Sequence, residues 1–173
     1  MAGLKIGSKV LQIDGIDRNL IAELAKVVGL SGHACALVRE ENQAKKFTRA
    51  AAMVGVFVKI TVAPLGSMPY EANFFDLVVI KNILGEMHQN NRVICLQQVY
   101  EVLRIGGRCL VIEQAARGGL GALWSKQSLD SRYTRGGAQA ALKAEGFQGV
   151  RLLGERDSMS FTEGTKGTKN PDL

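Results

Sequence analysis

Cysteine is scarce in this chain and shows no pattern. The three cysteines, Cys35, Cys95 and Cys109, are odd in number and far apart, and no C-x-x-C pair or Cys/His cluster accompanies them. That argues against a zinc site and against a disulfide framework. All three fall within apolar segments, where a free cysteine behaves as a small hydrophobe, and a cytoplasmic, reducing setting is expected. Long apolar runs are missing as well. The longest stretch without Asp, Glu, Lys or Arg is Val27 to Val38. It is well short of the ~18 residues of a membrane span, which excludes a transmembrane segment. The opening residues, Met-Ala-Gly-Leu-Lys-Ile-Gly-Ser-Lys-Val, hold no apolar h-region, so no secretory signal is expected. At 46% hydrophobic and 22% charged, the chain is neither a disordered tail nor a coiled coil.

What is present is a chain of single-domain size. Its 173 residues are enough to bury roughly 70% of the unfolded surface without staples. The 22 Lys+Arg against 16 Asp+Glu leave a formal charge of +6, an excess that reads mainly as solvated surface.

Strand and helix signals alternate. Lys9 to Ile13 is a short strand ending at Asp14-Gly15. From Asp17, the expected N-cap, Leu20, Ile21, Leu24, Val27 and Val28 mark one helical face, stopped by Gly29 and Gly32. His33 to Val38 reads as a strand, Glu40 to Met53 as a helix, and Val56 to Val62 as a strand closed by Pro64. A turn-rich loop leads to Phe75-Asp-Leu-Val-Val-Ile80, which has the near-continuous apolar character of a strand buried on both faces. Val93, Leu96, Val99, Tyr100 and Leu103 stripe another helix, and Gly106-Gly107 turns the chain into a strand over Arg108 to Glu113. Gln114 to Thr134, with Gly118, Gly119, Gly121 and the only tryptophan, Trp124, reads as a loop with a short helix. Ala138 to Glu145 is a further helix, and Gly149 to Gly154 with Ser158 to Thr162 reads as a closing hairpin. Repeated β-then-α units predict a three-layer α/β domain on a mostly parallel sheet. The domain is expected to span residues 1–164, with 165–173 as a flexible tail.

Three segments carry a family resemblance. They are Phe75 to Ile80, then Val99-Tyr-Glu-Val-Leu-Arg-Ile-Gly-Gly-Arg-Cys-Leu-Val-Ile-Glu113, then Leu142-Lys-Ala-Glu-Gly-Phe-Gln-Gly-Val-Arg151. The chain resembles the class I S-adenosylmethionine-dependent methyltransferases, especially those of ubiquinone and menaquinone biosynthesis. The second segment is similar to the family's Leu-x-Pro-Gly-Gly-x-Leu-x-x-x-Glu turn, with Ile105 in place of proline. The resemblance implies a Rossmann-like fold with a seven-stranded sheet whose last strand is antiparallel. It implies S-adenosylmethionine as cofactor if the pocket works.

The family's cofactor motifs are altered. Its first motif, Val-Leu-Asp-x-Gly-x-Gly-x-Gly, uses glycines so that the loop backbone can approach the ligand. Here Val10-Leu-Gln-Ile-Asp-Gly-Ile-Asp-Arg18 puts Gln12 at the acidic position and Asp14, Ile16 and Arg18 at the glycine positions, with Gly15 one place out of step. A Cβ at 16 would crowd the methionine moiety, and a cation at 18 would oppose the ligand's positive charge. The acidic residue that accepts the ribose hydroxyls falls near Val38, in Ala36-Leu-Val-Arg-Glu-Glu41, where Glu40 is the possible substitute. The Asp that meets the adenine falls on Pro64. If cofactor binding is retained, the resemblance assigns it to Asp14, Gly15, Asp17, Glu40, Leu65 and Lys81.

Other candidates carry less chemistry. Lys81, Asn82, Glu86 and His88 follow the fourth strand at the ligand-binding edge of such sheets, and Glu86 or His88 would be the general base there. Both read more simply as polar loop residues, and His33 as structural or surface. Arg117, Lys126, Arg132, Arg135 and Lys143 make the region after the fifth strand basic, opposed only by Asp130. No nucleic-acid motif accompanies them. The first strand begins close to the N-terminus, leaving no room for a helical lid, so a small-molecule site would be open or completed by another subunit. The expected function is a methyltransferase-fold protein with an eroded pocket, acting without catalysis as a binding or structural subunit. Its protein partner would contact Arg117 to Lys143, where Trp124 and Tyr133 sit among cations, or the C-terminal tail. The alternative is an active S-adenosylmethionine-dependent methyltransferase of a small molecule.

Overall fold

Phe75–Lys81, β4, is the strand on which both faces of the molecule are built. Its side chains alternate between two cores, because successive strand residues point to opposite sides of a sheet. Val78 and Ile80 join one core, and Leu77 and Val79 the other. All four are buried. Burying side chains of this kind contributes about 1.5–3 kcal/mol each. The same alternation runs through β1, Lys9–Ile13, where Leu11 and Ile13 face the first core and Val10 the second. The computed structural model describes residues 3–14, 17–114, 133 and 136–168. Gly15, Trp124, the basic residues 117, 126, 132 and 135, and residues 169–173 lie outside the described residues.

The described strands form one seven-stranded sheet in the order β3-β2-β1-β4-β5-β7-β6. β2 is His33–Val38, β3 Lys59–Val62, β5 Leu103–Gln114, β6 Gln148–Arg156 and β7 Met159–Thr165. β1 to β5 pair in parallel, and β7 is antiparallel to both of its neighbours. This is the mostly parallel sheet predicted, with the antiparallel strand last in the chain. Helices α1 (Arg18–Val28) and α2 (Glu41–Met53) cover one face, and α3 (Gln89–Val102) and α4 (Gly137–Ala144) the other. Cys35, Cys95 and Cys109 are free and buried within these cores. Burial raises the Cys95 thiol to about 12, which leaves it unreactive at neutral pH.

Several bounds differ from expectation, among them the third strand, which begins at Lys59 rather than Val56. The fifth strand begins at Leu103 rather than Arg108, because the Gly106-Gly107 segment bulges out of a strand that does not end there. Phe75 pairs with Leu103 and Leu77 with Arg108, so the extra residues on β5 leave the ladder between those pairs. Gly106, at φ 75°, supplies the left-handed backbone this requires. The boundary drawn after residue 164 falls inside a strand. β7 continues to Thr165, and Lys166 exchanges backbone hydrogen bonds with Gly106 and Gly107 while its ammonium reaches the Leu103 carbonyl at 2.7 Å.

The bulge makes a stability prediction. A Cβ at Gly107 would lie 2.8 Å from the Arg104 carbonyl oxygen and 2.9 Å from that of Phe75, both backbone atoms with nowhere to go. Gly107→Ala should therefore cost about 1–3 kcal/mol in urea denaturation, with an unchanged m-value.

Candidate functional site

The sheet order reverses between β1 and β4. The chain winds outward through β2 and β3, then crosses back to β4, and in open α/β sheets the crevice at such a switch point is where ligands bind. Strand register decides which side chains meet there. Ile13 pairs with Leu37 on one side and with Ile80 on the other. Asp14 thus leaves β1 beside the ends of both neighbours, with its N–H bonded to the Leu37 carbonyl at 2.7 Å.

Asp14 is the centre of the crevice. Its backbone is left-handed, at φ 43°, where most residues other than glycine are strained and Asp is among those tolerated. This is one of the positions at which the resemblance expects glycine, so the backbone conformation is one glycine would favour while the side chain is new. That side chain is 1% exposed. Its Oδ2 accepts a hydrogen bond from Arg39 Nε at 2.6 Å. Arg39 directly follows β2, the end where the ribose-accepting carboxylate was expected. Glu40, the predicted substitute, is exposed and has an extended backbone. The arginine reaches Asp14, and Glu40 beside it stays exposed.

A second ion pair lies alongside. Lys81 Nζ, at the end of β4, donates to Asp17 Oδ2 at 2.6 Å. The other oxygen of Asp17 caps α1, accepting from Asn19 N at 3.1 Å and Leu20 N at 3.2 Å, as the N-cap position predicted. Burial alone would raise the Asp17 carboxyl. The Lys81 ammonium and the two helix N–H groups outweigh it, and the net value is below the ordinary one. Gln12, fully buried, spans the loop from beneath and donates from Nε2 to the Asp17 carbonyl at 2.9 Å. An aspartate there could not donate this bond. Among the described residues, the buried Gln12 Oε1 and Asp14 Oδ1 at this loop have no donor.

Of the predicted ligand residues, Asp14, Asp17 and Lys81 thus come together. Leu65 is buried in the core, and Pro64 is exposed beside it. Glu86 and His88 are exposed, in and after the short 3₁₀ turn Leu84–Glu86. His33 is at the surface, edge-on to Phe74 at 5.6 Å. Sequence reasoning missed Arg39 as a partner, because the pairing depends on the β1–β2 register. It also missed a buried cluster at the end of β5, where the Tyr133 hydroxyl donates to Glu113 and Arg92 lies 4.5 Å from the Tyr133 ring centre. Arg92 also donates to the Leu84 and Met87 carbonyls. Burial raises the Glu113 carboxyl, with Tyr133, the Gly85 N–H and Arg92 opposing it. No short-range pattern joins residues this far apart. Among the described residues no group of three His, Cys, Asp or Glu side chains is placed to hold a metal. No helix among them is long and apolar enough to cross a membrane.

With this geometry established, comparison with known proteins identifies the frame. The methyltransferase domain family matches residues 13–111, more than half of the chain. The chain belongs to this family. It is 28% identical over 114 residues to the ubiquinone/menaquinone biosynthesis C-methyltransferase UbiE of Citrobacter koseri, a match covering 65% of the chain and 45% of that protein. The chain thus spans less than half the length of the curated relative. A SAM-dependent methyltransferase from Aquifex aeolicus shares the fold with a TM-score of 0.74 at 18% identity, covering 94% of this chain and 84% of the other. The [4+2]-cyclase SpnF shares it with a TM-score of 0.71 at 16% identity, over 95% of this chain and 76% of that one. The seven-stranded sheet of the described residues is thus a methyltransferase frame.

The Lys81–Asp17 pair makes a pH prediction. A carboxyl lowered in the folded state adds stability that is present above its unfolded value, near 4, and is lost as the pH falls through the folded value. Both partners are partly exposed, so solvent screening limits the pair to about 0.5 kcal/mol. Lys81→Met should be less stable than the parent by about this amount at pH 7. Chemical denaturation across pH should show the difference closing below about pH 4.

Proposed function

We propose that this domain is a methyltransferase-fold protein whose crevice no longer accepts S-adenosylmethionine in the family's manner, and that it acts without catalysis as a binding or structural subunit. The observation that carries this reading is the Arg39–Asp14 ion pair. The ribose of the cofactor needs a hydroxyl acceptor at the end of β2, and the side chain that turns inward there is a guanidinium, which has no acceptor lone pair. The same arginine ties up one oxygen of the Asp14 carboxylate. Arg18, exposed on the first turn of α1, adds a further cation where a cationic ligand would lie. The residues present do not fit the nucleoside half of the cofactor. A protein contact through Arg117 to Lys143 or the C-terminal tail belongs to the same proposal.

A second reading, an active S-adenosylmethionine-dependent methyltransferase of a small molecule, is favoured by one feature. Gln12 Oε1 and Asp14 Oδ1 are buried acceptors without donors, and the ammonium of the cofactor's methionine end is a donor. The likeness to a C-methyltransferase supports it as well.

Calorimetric titration separates the two. Loss of the paired ribose hydrogen bonds, at about 1–2 kcal/mol each, should weaken binding on the order of a hundredfold. No saturable binding of S-adenosylmethionine or its demethylated product is expected below millimolar ligand. Saturable binding at micromolar ligand would replace the proposal with the active-enzyme reading.

A further inference from the structure

The crevice occupies the carboxyl ends of the parallel strands, and their opposite ends carry a different surface. Large apolar side chains exposed one at a time are ordinary on a protein. Here Ile6, Leu30, Met53 and Phe57, between 81% and 101% exposed, gather where the chain leads into β1, β2 and β3. Those three strands are neighbours in the sheet. Their starts are in register, with Lys9 beside His33 and Cys35 beside Lys59. The first two loops are also tied together. Gly7 N–H donates to the Val28 carbonyl at 2.9 Å, and His33 N–H to the Ser8 carbonyl at 3.1 Å. Val27, in the last turn of α1, and Val54, just after α2, are exposed at the same edge. None of these six side chains belongs to either core, so packing does not account for them.

The charge around them is of one sign. Residues 3–9, 26–33 and 53–59 hold four lysines, Lys5, Lys9, Lys26 and Lys59, and no Asp or Glu. Lys26 is paired with Glu23 at 2.7 Å, and Lys9 lies 4.1 Å over the Phe74 ring centre. Lys5 and Lys59 are exposed and make no ion pair among the described residues. Beside Ile6, a cleft is lined by Lys5, Arg104 and Arg108, with Asp76 on its wall bonded to Arg104.

Apolar tips within a basic rim suit one kind of surface. A second copy of the chain would set lysine against lysine, which like charges oppose. A protein partner needs a shape to seat, whereas these side chains stand almost fully in solvent on separate loops. A bilayer interface takes up protruding apolar groups without a complementary shape, and its anionic headgroups attract lysines.

We propose that this edge of the sheet docks on an anionic lipid surface. Ile6, Leu30, Met53 and Phe57 enter the headgroup boundary, and Lys5 and Lys59 face the lipid phosphates. The domain lies on the bilayer with the crevice at its far end, and the inference stands whichever reading of the crevice holds.

Co-sedimentation of the full chain with phosphatidylcholine vesicles, and with vesicles that also contain phosphatidylglycerol, tests it. The unaltered chain is expected to bind the anionic vesicles at least about tenfold more tightly, and to lose that gain as salt screens the lysines. Leu30→Ser and Phe57→Ser alter exposed side chains, so each should keep its fold and weaken vesicle binding about fivefold or more. Lys5→Glu combined with Lys59→Glu should abolish the preference for anionic vesicles. No vesicle binding, as a protein partner for this face would give, would overturn the inference. So would equal binding to both vesicles, or binding indifferent to Leu30 and Phe57. Sedimentation velocity covers the remaining occupant: a dimer that Phe57→Ser dissolves, with vesicles unbound, would give the face to a second copy.

Discussion

A carboxylate has been placed where water does not reach, and the crevice is organised around that fact. Asp14 is 1% exposed, and an isolated charge so buried would cost several kcal/mol. Arg39 supplies the compensation from the next strand, at 2.6 Å. The pairing holds the end of β2 against the loop after β1, and Glu40 beside it is exposed. Gln12 secures the same loop from below through the Asp17 carbonyl, and Asp17 in turn starts α1 and holds Lys81. Arg39, Gln12, Asp17 and Lys81 thus take positions that follow from stabilising a single loop.

The sheet stands apart from the loop. Its stability comes from β1, β4 and β5, whose apolar residues alternate into two separate cores. Residue 14 takes a left-handed conformation suited to glycine while carrying an aspartate. That separation is the physical form of a general rule, that a fold hosts a site without determining it.

Much of this was legible in the sequence, and the reasons are specific. Phe75 to Ile80 announced a strand buried on both faces because its apolar run admits no exposed side. Asp17 announced a helix start because a carboxylate before an apolar stripe has one common use. The crevice was legible only in outline. Asp14, Asp17 and Lys81 are near one another because each follows the end of an adjacent element, which strand order alone predicts. Arg39 could not be read as their partner, since a shift of one residue in the β1–β2 register would send Glu40 inward instead. The Tyr133–Glu113 contact was equally hidden, since it joins residues 20 apart in the chain.

The central claim is that Arg39 and Asp14 depend on each other. A double-mutant cycle in folding stability with Asp14→Asn and Arg39→Gln tests it most directly, because the cycle isolates the pairwise energy from the cost of each change. The account predicts a coupling of at least about 1 kcal/mol, with Arg39→Gln strongly destabilising alone and much less so when Asp14 is already neutral. Additive effects, with no coupling beyond error, would contradict it.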